Sequence, residues 1–157
     1  MNDRHIRLLT TAGILSAAIF LLTAFVRIPL PTGYLNLGDA GVFMVAMLLP
    51  AGYAALCAGV GSMLADLIGF PLYAPVTLAV KGLTALAFAL LWRKLPKKLR
   101  YLAFLAVLIV PLGYFAFEFV VFKNFAWADL PMNLLQAAVG AGLAWALDRA
   151  TKSRFCI

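Results

Sequence analysis

The segment YLAFLAVLIVPLGYFAFEFVVF, Tyr101 to Phe122, carries a single formal charge, Glu118, and directly follows the basic run RKLPKKLR, Arg93 to Arg100. Lipid offers backbone groups no hydrogen-bond partners, and ~20 apolar residues in a helix cross a ~30 Å hydrocarbon core. The apolar run therefore reads as a bilayer-spanning helix, with a kink expected near Pro111 and Gly113. The basic run reads as its cytoplasmic anchor, because Lys and Arg collect on that side of a membrane.

The rest of the chain repeats this pattern. Of its 157 residues 65% are hydrophobic and only 12% charged, and the mean hydropathy is +1.00. That leaves too little polar surface for a soluble domain. The apolar runs are continuous and do not alternate, which favours helices over barrel strands. The expected fold is an all-α integral membrane protein, a single membrane domain over 1–157 with six transmembrane helices. Their spans are Leu8–Val26, Asp39–Leu49, Gly52–Gly69, Pro75–Trp92, Tyr101–Phe122 and Pro131–Leu147. The second is too short to cross alone at ~1.5 Å per residue. It must start earlier, tilt or be sheltered by its neighbours. The first run is long enough to span and has no A-x-A-like cleavage site after it, so it is not read as a signal peptide.

The net charge of +7 invites a nucleic-acid reading, but ten of the thirteen Lys and Arg flank apolar runs in three clusters. These are Arg4 and Arg7; Arg93, Lys94, Lys97, Lys98 and Arg100; and Arg149, Lys152 and Arg154. Such clusters set topology, with lipid headgroup binding as a secondary consequence and no nucleic acid implied. An even number of helices puts both termini and RKLPKKLR on the cytoplasmic side. Arg27 and Lys123 then fall outside, and Lys81 within a span.

Under this topology every strongly polar side chain of the spans lies in the outer half: Asp39, Asp66, Lys81, Glu118, Asn133 and Gln136. A channel or proton relay needs polar groups through the full depth, whereas a site that captures a solute from outside needs them only there. Tyr34, Tyr73, Tyr114, Phe125 and Trp127 sit near the same level and could stack on a flat ring. Simpler roles stand beside these. Asp39 either caps helix two or contacts a ligand. Asp66 and Lys81 form a candidate structural ion pair. Asp129 before Pro131 reads as a helix start. Tyr34, Tyr73 and Trp127 also suit an interfacial aromatic belt. His5 reads as a solvated terminal residue.

Small residues form stripes that let helices approach closely. Ala54, Ala58 and Ser62, and likewise Ala138, Gly142 and Ala146, are read as internal packing. On helix one, Ala12 with Ser16 and Gly13 with Ala17 lie in the cytoplasmic half and could serve a partner protein. Cys57 and Cys156 suit neither a disulfide nor a metal site, and the C-terminal FCI is no prenylation box. The sequence has no Walker motif, and His5 is its only histidine, so no Ser/His/Asp set exists. An enzyme has little to stand on, and no metal or cofactor is expected.

RIPLPTGYLNLGDAGVFMVAMLLP and GVGSMLADLIGFPLYAPVTLAVKGL, and in particular the combination NLGDA, GSMLAD, YAP and KGL, resemble the substrate-binding S components of energy-coupling factor (ECF) vitamin transporters. The nearest branch is that of riboflavin and of hydroxymethylpyrimidine or pyridoxine carriers, and the likeness runs from Ala12 to about Ala146. It implies a multi-pass protein of a bacterial cell membrane. It also implies a vitamin site in the outer half, closed by the loop between helices one and two, with Pro31 and Gly33 as turn makers. A small-residue motif on helix one would dock on a transmembrane coupling (T) subunit driven by two cytoplasmic ATPases. That motif falls on Gly13 and Ala17 or on Ala12 and Ser16, and neither pair is Ala-x-x-x-Ala. The expected substrate contacts are Tyr34, Asn36, Asp39, Lys81, Tyr114, Glu118, Trp127, Asn133 and Gln136. The alternatives are a structural or assembly subunit of a membrane complex, or a self-sufficient carrier.

Overall fold

The computed structural model describes the backbone of residues 3–30 and 33–151, and the side chains of these except 27–35, 125 and 151. Cys156, Lys152, Arg154, Pro31 and Thr32 lie outside the described residues. Six α-helices are joined by one small hairpin: α1 Asp3–Ala24, β1 Arg27–Leu30, β2 Gly33–Asn36, α2 Gly38–Leu48, α3 Ala51–Gly69, α4 Ala74–Lys94, α5 Ile109–Phe122 and α6 Ala126–Thr151. A 3-10 helix over Arg100–Leu108 leads into α5, and a 3-10 turn over Lys123–Phe125 joins α5 to α6. Among the described residues five helical segments are long and apolar enough to cross a membrane, and α2 is the shorter apolar helix.

Several boundaries depart from the sequence reading: α1 begins at Asp3 rather than Leu8, and α6 ends at Thr151 rather than Leu147. The helix placed at Pro131–Leu147 begins five residues earlier, at Ala126, with Pro131 inside it. Pro131 is the sixth residue of the helix, past the first turn, so its missing N–H leaves the Trp127 carbonyl without its ladder bond. The expected kink in helix five is a change of helix type, from 3-10 to α after Leu108. Pro111 stands in the first turn of that α-segment, where its missing N–H breaks no ladder bond.

With 11 residues, α2 rises only about 16 Å at ~1.5 Å per residue. It is viable because it is sheltered. Both faces are packed, with Val42, Phe43 and Ala46 wholly buried. Its ends are also satisfied. The Asn36 Oδ1 accepts the Gly38 N–H at 2.8 Å. At the other end the Arg93 guanidinium donates to the Ala46 carbonyl at 3.0 Å and to that of Leu49. Carbonyls left bare in an apolar interior would cost free energy. Arg93→Met is therefore expected to lower stability by about 1–2 kcal/mol, read as a shift in the unfolding midpoint of the purified protein.

The two halves of the bundle differ. Contacts of His5 with Tyr53, Arg93 with Leu49, and Tyr101 with Asp148 bring the start of α1, the end of α4 and the end of α6 together. The described parts of the three basic clusters thus share one end. His5 is tied to the Tyr53 hydroxyl at 2.8 Å rather than merely solvated. Above this end lies an aromatic core, with Phe88 5.3 Å from Phe43, 5.4 Å from Trp92 and 5.0 Å from Phe104 between ring centroids.

The stripe Ala54, Ala58 and Ser62 is buried, and Gly59 lets α3 meet the Leu78 carbonyl of α4, which an added Cβ would approach to 2.8 Å. On α6 the expected stripe is wrong: Ala138, Gly142 and Ala146 are exposed, and the buried line is Gln136, Ala137, Gly140 and Ala144. An added Cβ at Gly140 would lie 2.5 Å from the Asp39 Cβ and 3.0 Å from the Ala40 nitrogen, whereas nothing lies within 4 Å at Gly142. Gly140→Ala should lower stability by about 1–2 kcal/mol by pushing α6 off α2, while Gly142→Ala, with open space beside it, should leave the unfolding midpoint unchanged or raise it, Ala being the better helix former.

The connection between α1 and α2 is an antiparallel hairpin and not a plain loop, with Arg27 opposite Asn36 and Pro29 opposite Tyr34. Strands of four residues with a proline in one of them give little pattern to read. The ladder ends at Asn36, one residue before the turn into α2.

Candidate functional site

At the end of the bundle opposite the basic clusters the helices enclose a cavity of about 190 Å³. It is built from faces one helical turn apart. On α3, Ser62 and Asp66 stand four residues apart; Thr77 and Lys81 do so on α4, with Tyr73 preceding the helix; Tyr114 and Glu118 do so on α5. From α6 come Asp129, Met132, Asn133 and Gln136, and from the hairpin end and α2 come Asn36, Gly38 and Asp39. Spacings of three and four residues place side chains on one helical face, so each helix presents a polar stripe inward.

Two hydrogen-bonded chains organise the walls. In the first, the Asn36 side-chain amide donates to the Gln136 Oε1 at 3.2 Å, and the Gln136 amide donates to the Asp39 Oδ2 at 3.3 Å. The other Asp39 oxygen is ion-paired with the Lys81 ammonium. This chain ties the hairpin, α2, α4 and α6 together. In the second, Tyr114 donates to the Thr77 hydroxyl at 2.8 Å, and Thr77 donates to the Asp66 Oδ2. The Lys81 ammonium stands 5.4 Å from the Tyr114 ring centroid, within cation–π range, and links the two. A third contact runs from the Tyr73 hydroxyl to the Glu118 Oε1 at 3.4 Å.

Two sequence expectations change here. Lys81 pairs with Asp39, not with Asp66. Asp39 enters in the first turn of α2 and meets Lys81 roughly 10 Å into α4, whereas the Asp66 carboxylate is taken up by Thr77. Asp39 is also no helix cap: both of its oxygens are bonded to side chains, and Asn36 provides the bond to the α2 terminus.

Of the expected contacts, Asn36, Asp39, Lys81, Tyr114, Glu118, Asn133 and Gln136 line the cavity. Trp127 does not. It is 62% exposed and packs edge-on against Phe115, 4.8 Å between centroids. Because α6 begins at Ala126, Trp127 is fixed two residues from Asp129 and so points to another face. The side chains of Tyr34 and Phe125 lie outside the described residues. Ser62, Thr77, Phe70 and Asp129 line the cavity without having been expected among the contacts, and Tyr73, expected as a possible stacking ring or belt residue, lines it too. The spacing of Ser62 from Asp66 and of Thr77 from Lys81 is the signal that finds them.

Most of the buried polar atoms here have partners inside the protein, but among the described residues two lining atoms have none within hydrogen-bond distance: the Ser62 Oγ and the Glu118 Oε2. Both side chains are almost completely buried, 1% and 3% exposed. A buried polar atom without a partner is costly, and its presence on a cavity wall is what a site awaiting a ligand would show. Among the described residues no group of three His, Cys, Asp or Glu could hold a metal ion.

The chain is similar to a protein of Pyrococcus woesei described as "Uncharacterized protein in gap 3'region". The two are 33% identical over 141 residues, which is 84% of this chain and 95% of that one. The model of one family, the ECF-type riboflavin transporter, S component, matches the chain over residues 4–152. With nearly its whole length matched, and with five apolar helices long enough to cross a membrane, the chain belongs to the ECF-type riboflavin transporter S component family and is a membrane substrate-binding subunit of a transporter rather than an enzyme.

Proposed function

We propose that this chain captures a water-soluble vitamin or vitamin precursor, of pyridoxine, hydroxymethylpyrimidine or riboflavin type, for an ECF importer. The observation that carries the reading is the cavity itself, polar, walled by all six helices and the hairpin end, and holding buried groups on Ser62 and Glu118 without a partner among the described residues. In this reading the chain crosses a bacterial cell membrane six times, with both termini and the basic end in the cytoplasm, so the cavity opens outward. The basic clusters support that orientation. The hairpin over 27–36 acts as the lid. The solute passes inward through a transmembrane coupling subunit powered by two cytoplasmic ATPases.

The coupling subunit would meet α1 on its outer stripe. Gly13 and Ala17 are exposed, and nothing lies within 4 Å of a Cβ added at Gly13. Ala12 and Ser16 are half-buried, and the Ser16 carbonyl packs on Gly61 of α3. Of the two small pairs, Gly13 and Ala17 therefore suit a partner and Ala12 and Ser16 suit the protein's own core. The double substitution Gly13→Leu with Ala17→Leu is expected to abolish co-purification of the coupling and ATPase subunits and to stop uptake, while the isolated chain binds solute as before. Uptake that persists without ATPase subunits would point instead to a self-sufficient carrier. Unchanged co-purification would remove the docking assignment.

A further inference from the structure

At the basic end of the bundle two arginines are stacked on indoles rather than paired with acids. The Arg100 guanidinium lies 4.7 Å from the Trp92 ring centroid, and that of Arg149 lies 4.8 Å from the Trp145 ring centroid. Both stacks belong to one junction, because Tyr101 and Asp148, next in sequence to the two arginines, are hydrogen-bonded at 3.3 Å. Among the described residues neither guanidinium forms an ion pair, and the buried Arg100 Nε has no hydrogen-bond partner. An indole covers one face of a guanidinium and leaves its N–H edge free, and that edge is the fork that grips a phosphate. Lys97 and Lys98, both exposed, stand just before Arg100 and add positive charge.

The helix that starts at this junction supplies a second, independent observation. A 3-10 helix has three residues per turn, so residues three apart stand in a straight row. Leu99, Leu102, Leu105 and Leu108 are all exposed, whereas Ala103 and Ala106 between them are buried. In an α-helix each step of three would rotate the side chain by about 60°, and the last leucine would face the opposite way from the first. Runs of 3-10 helix beyond four residues are uncommon, and this one has nine. It keeps the leucines in line for about 18 Å at ~2.0 Å per residue. That is close to the ~15 Å depth of one leaflet's hydrocarbon, and the row runs from the basic end into the apolar span Arg100–Phe122.

We propose that this junction binds one anionic phospholipid, its phosphate between Arg100 and Arg149 and an acyl chain along the leucine row. The site lies at the opposite end of the bundle from the cavity, so it stands or falls independently of the capture function.

Native mass spectrometry of the purified full chain in detergent tests it, with dioleoylphosphatidylglycerol, dioleoylphosphatidylcholine and sn-glycerol 3-phosphate as probes. One phosphatidylglycerol is expected to bind about 30-fold tighter than phosphatidylcholine, at roughly fivefold for each arginine. Arg100→Gln with Arg149→Gln should bring that ratio near one. Arg4→Gln with Arg7→Gln removes the same charge from the same end and should leave the ratio unchanged. A wild-type ratio near one overturns the proposal before any variant is made, so a poorly folding variant does not blunt the test. Equal losses in the two double variants would mean diffuse surface charge and overturn it as well. Glycerol phosphate binding as tightly as the lipid would make this a soluble-phosphate site and overturn the acyl-chain assignment. Loss of the coupling subunit from the Arg100 and Arg149 double variant, with its lipid ratio unchanged, would make the face a protein interface instead.

Discussion

Lys81→Met is expected to destabilise the protein by about 3–5 kcal/mol, the usual effect of removing one partner of a buried ion pair. Lys81 is 5% exposed and Asp39 1%. Without the ammonium, the Asp39 carboxylate keeps only the Gln136 amide at 3.3 Å. Much of the loss is the uncompensated charge, so Lys81→Met combined with Asp39→Leu should recover most of it. A double-mutant cycle on the unfolding free energy measures this. A coupling near zero would mean that the pair does not hold α2 to α4. The same pair anchors the chain of bonds that reaches Asn36 at the hairpin end, so solute affinity should fall in the single variant as well.

The second large effect concerns the ligand. Glu118→Ala removes the buried carboxylate whose Oε2 has no partner in the protein. A hydrogen bond to a charged group contributes about 1.5–3 kcal/mol, so the variant should lose roughly 10- to 150-fold in solute affinity. Removing an unsatisfied charge from the wall should at the same time leave stability unchanged or raise it. Opposite signs for binding and stability distinguish a ligand contact from a structural residue, for which both would fall.

How legible the site was in the sequence depends on the kind of residue. Asp39, Asp66, Lys81 and Glu118 stood out because ionisable groups in apolar runs are rare and rarely idle, and all four line the cavity. Their pairing was not legible. Asp66 and Lys81 sit on consecutive helices, which made them look like partners. The height at which the short α2 enters the bundle brings Asp39 to Lys81 instead, and sequence does not encode that height locally. Ser62 and Thr77 were hidden because hydroxyls are common in membrane helices and draw notice only through their four-residue spacing from a charge. Trp127 was misplaced because Pro131 was taken as the first residue of α6; starting the helix at Ala126 turns Trp127 away from the cavity.

The overall organisation was more legible than its joints. Continuous apolar runs marked every long helix, and basic flanks marked the proposed cytoplasmic ends of α1, α4, α5 and α6 but not α3, which has no Lys or Arg near either end. The hairpin between α1 and α2 was not visible, because its strands are four residues each and such a pair is marginal without support. Its support is tertiary, through the Asn36 amide on Gln136 of α6, 100 residues away in sequence. The small stripe on α6 was misread by two positions in its register, because Gly140 rather than Gly142 is where α6 meets Asp39.

The most direct test of the central claim is an experimental structure of the purified chain with bound solute. The account predicts ligand density inside the cavity, in contact with Glu118 and between Tyr73 and Tyr114. An empty cavity with the solute bound elsewhere on the protein would contradict it.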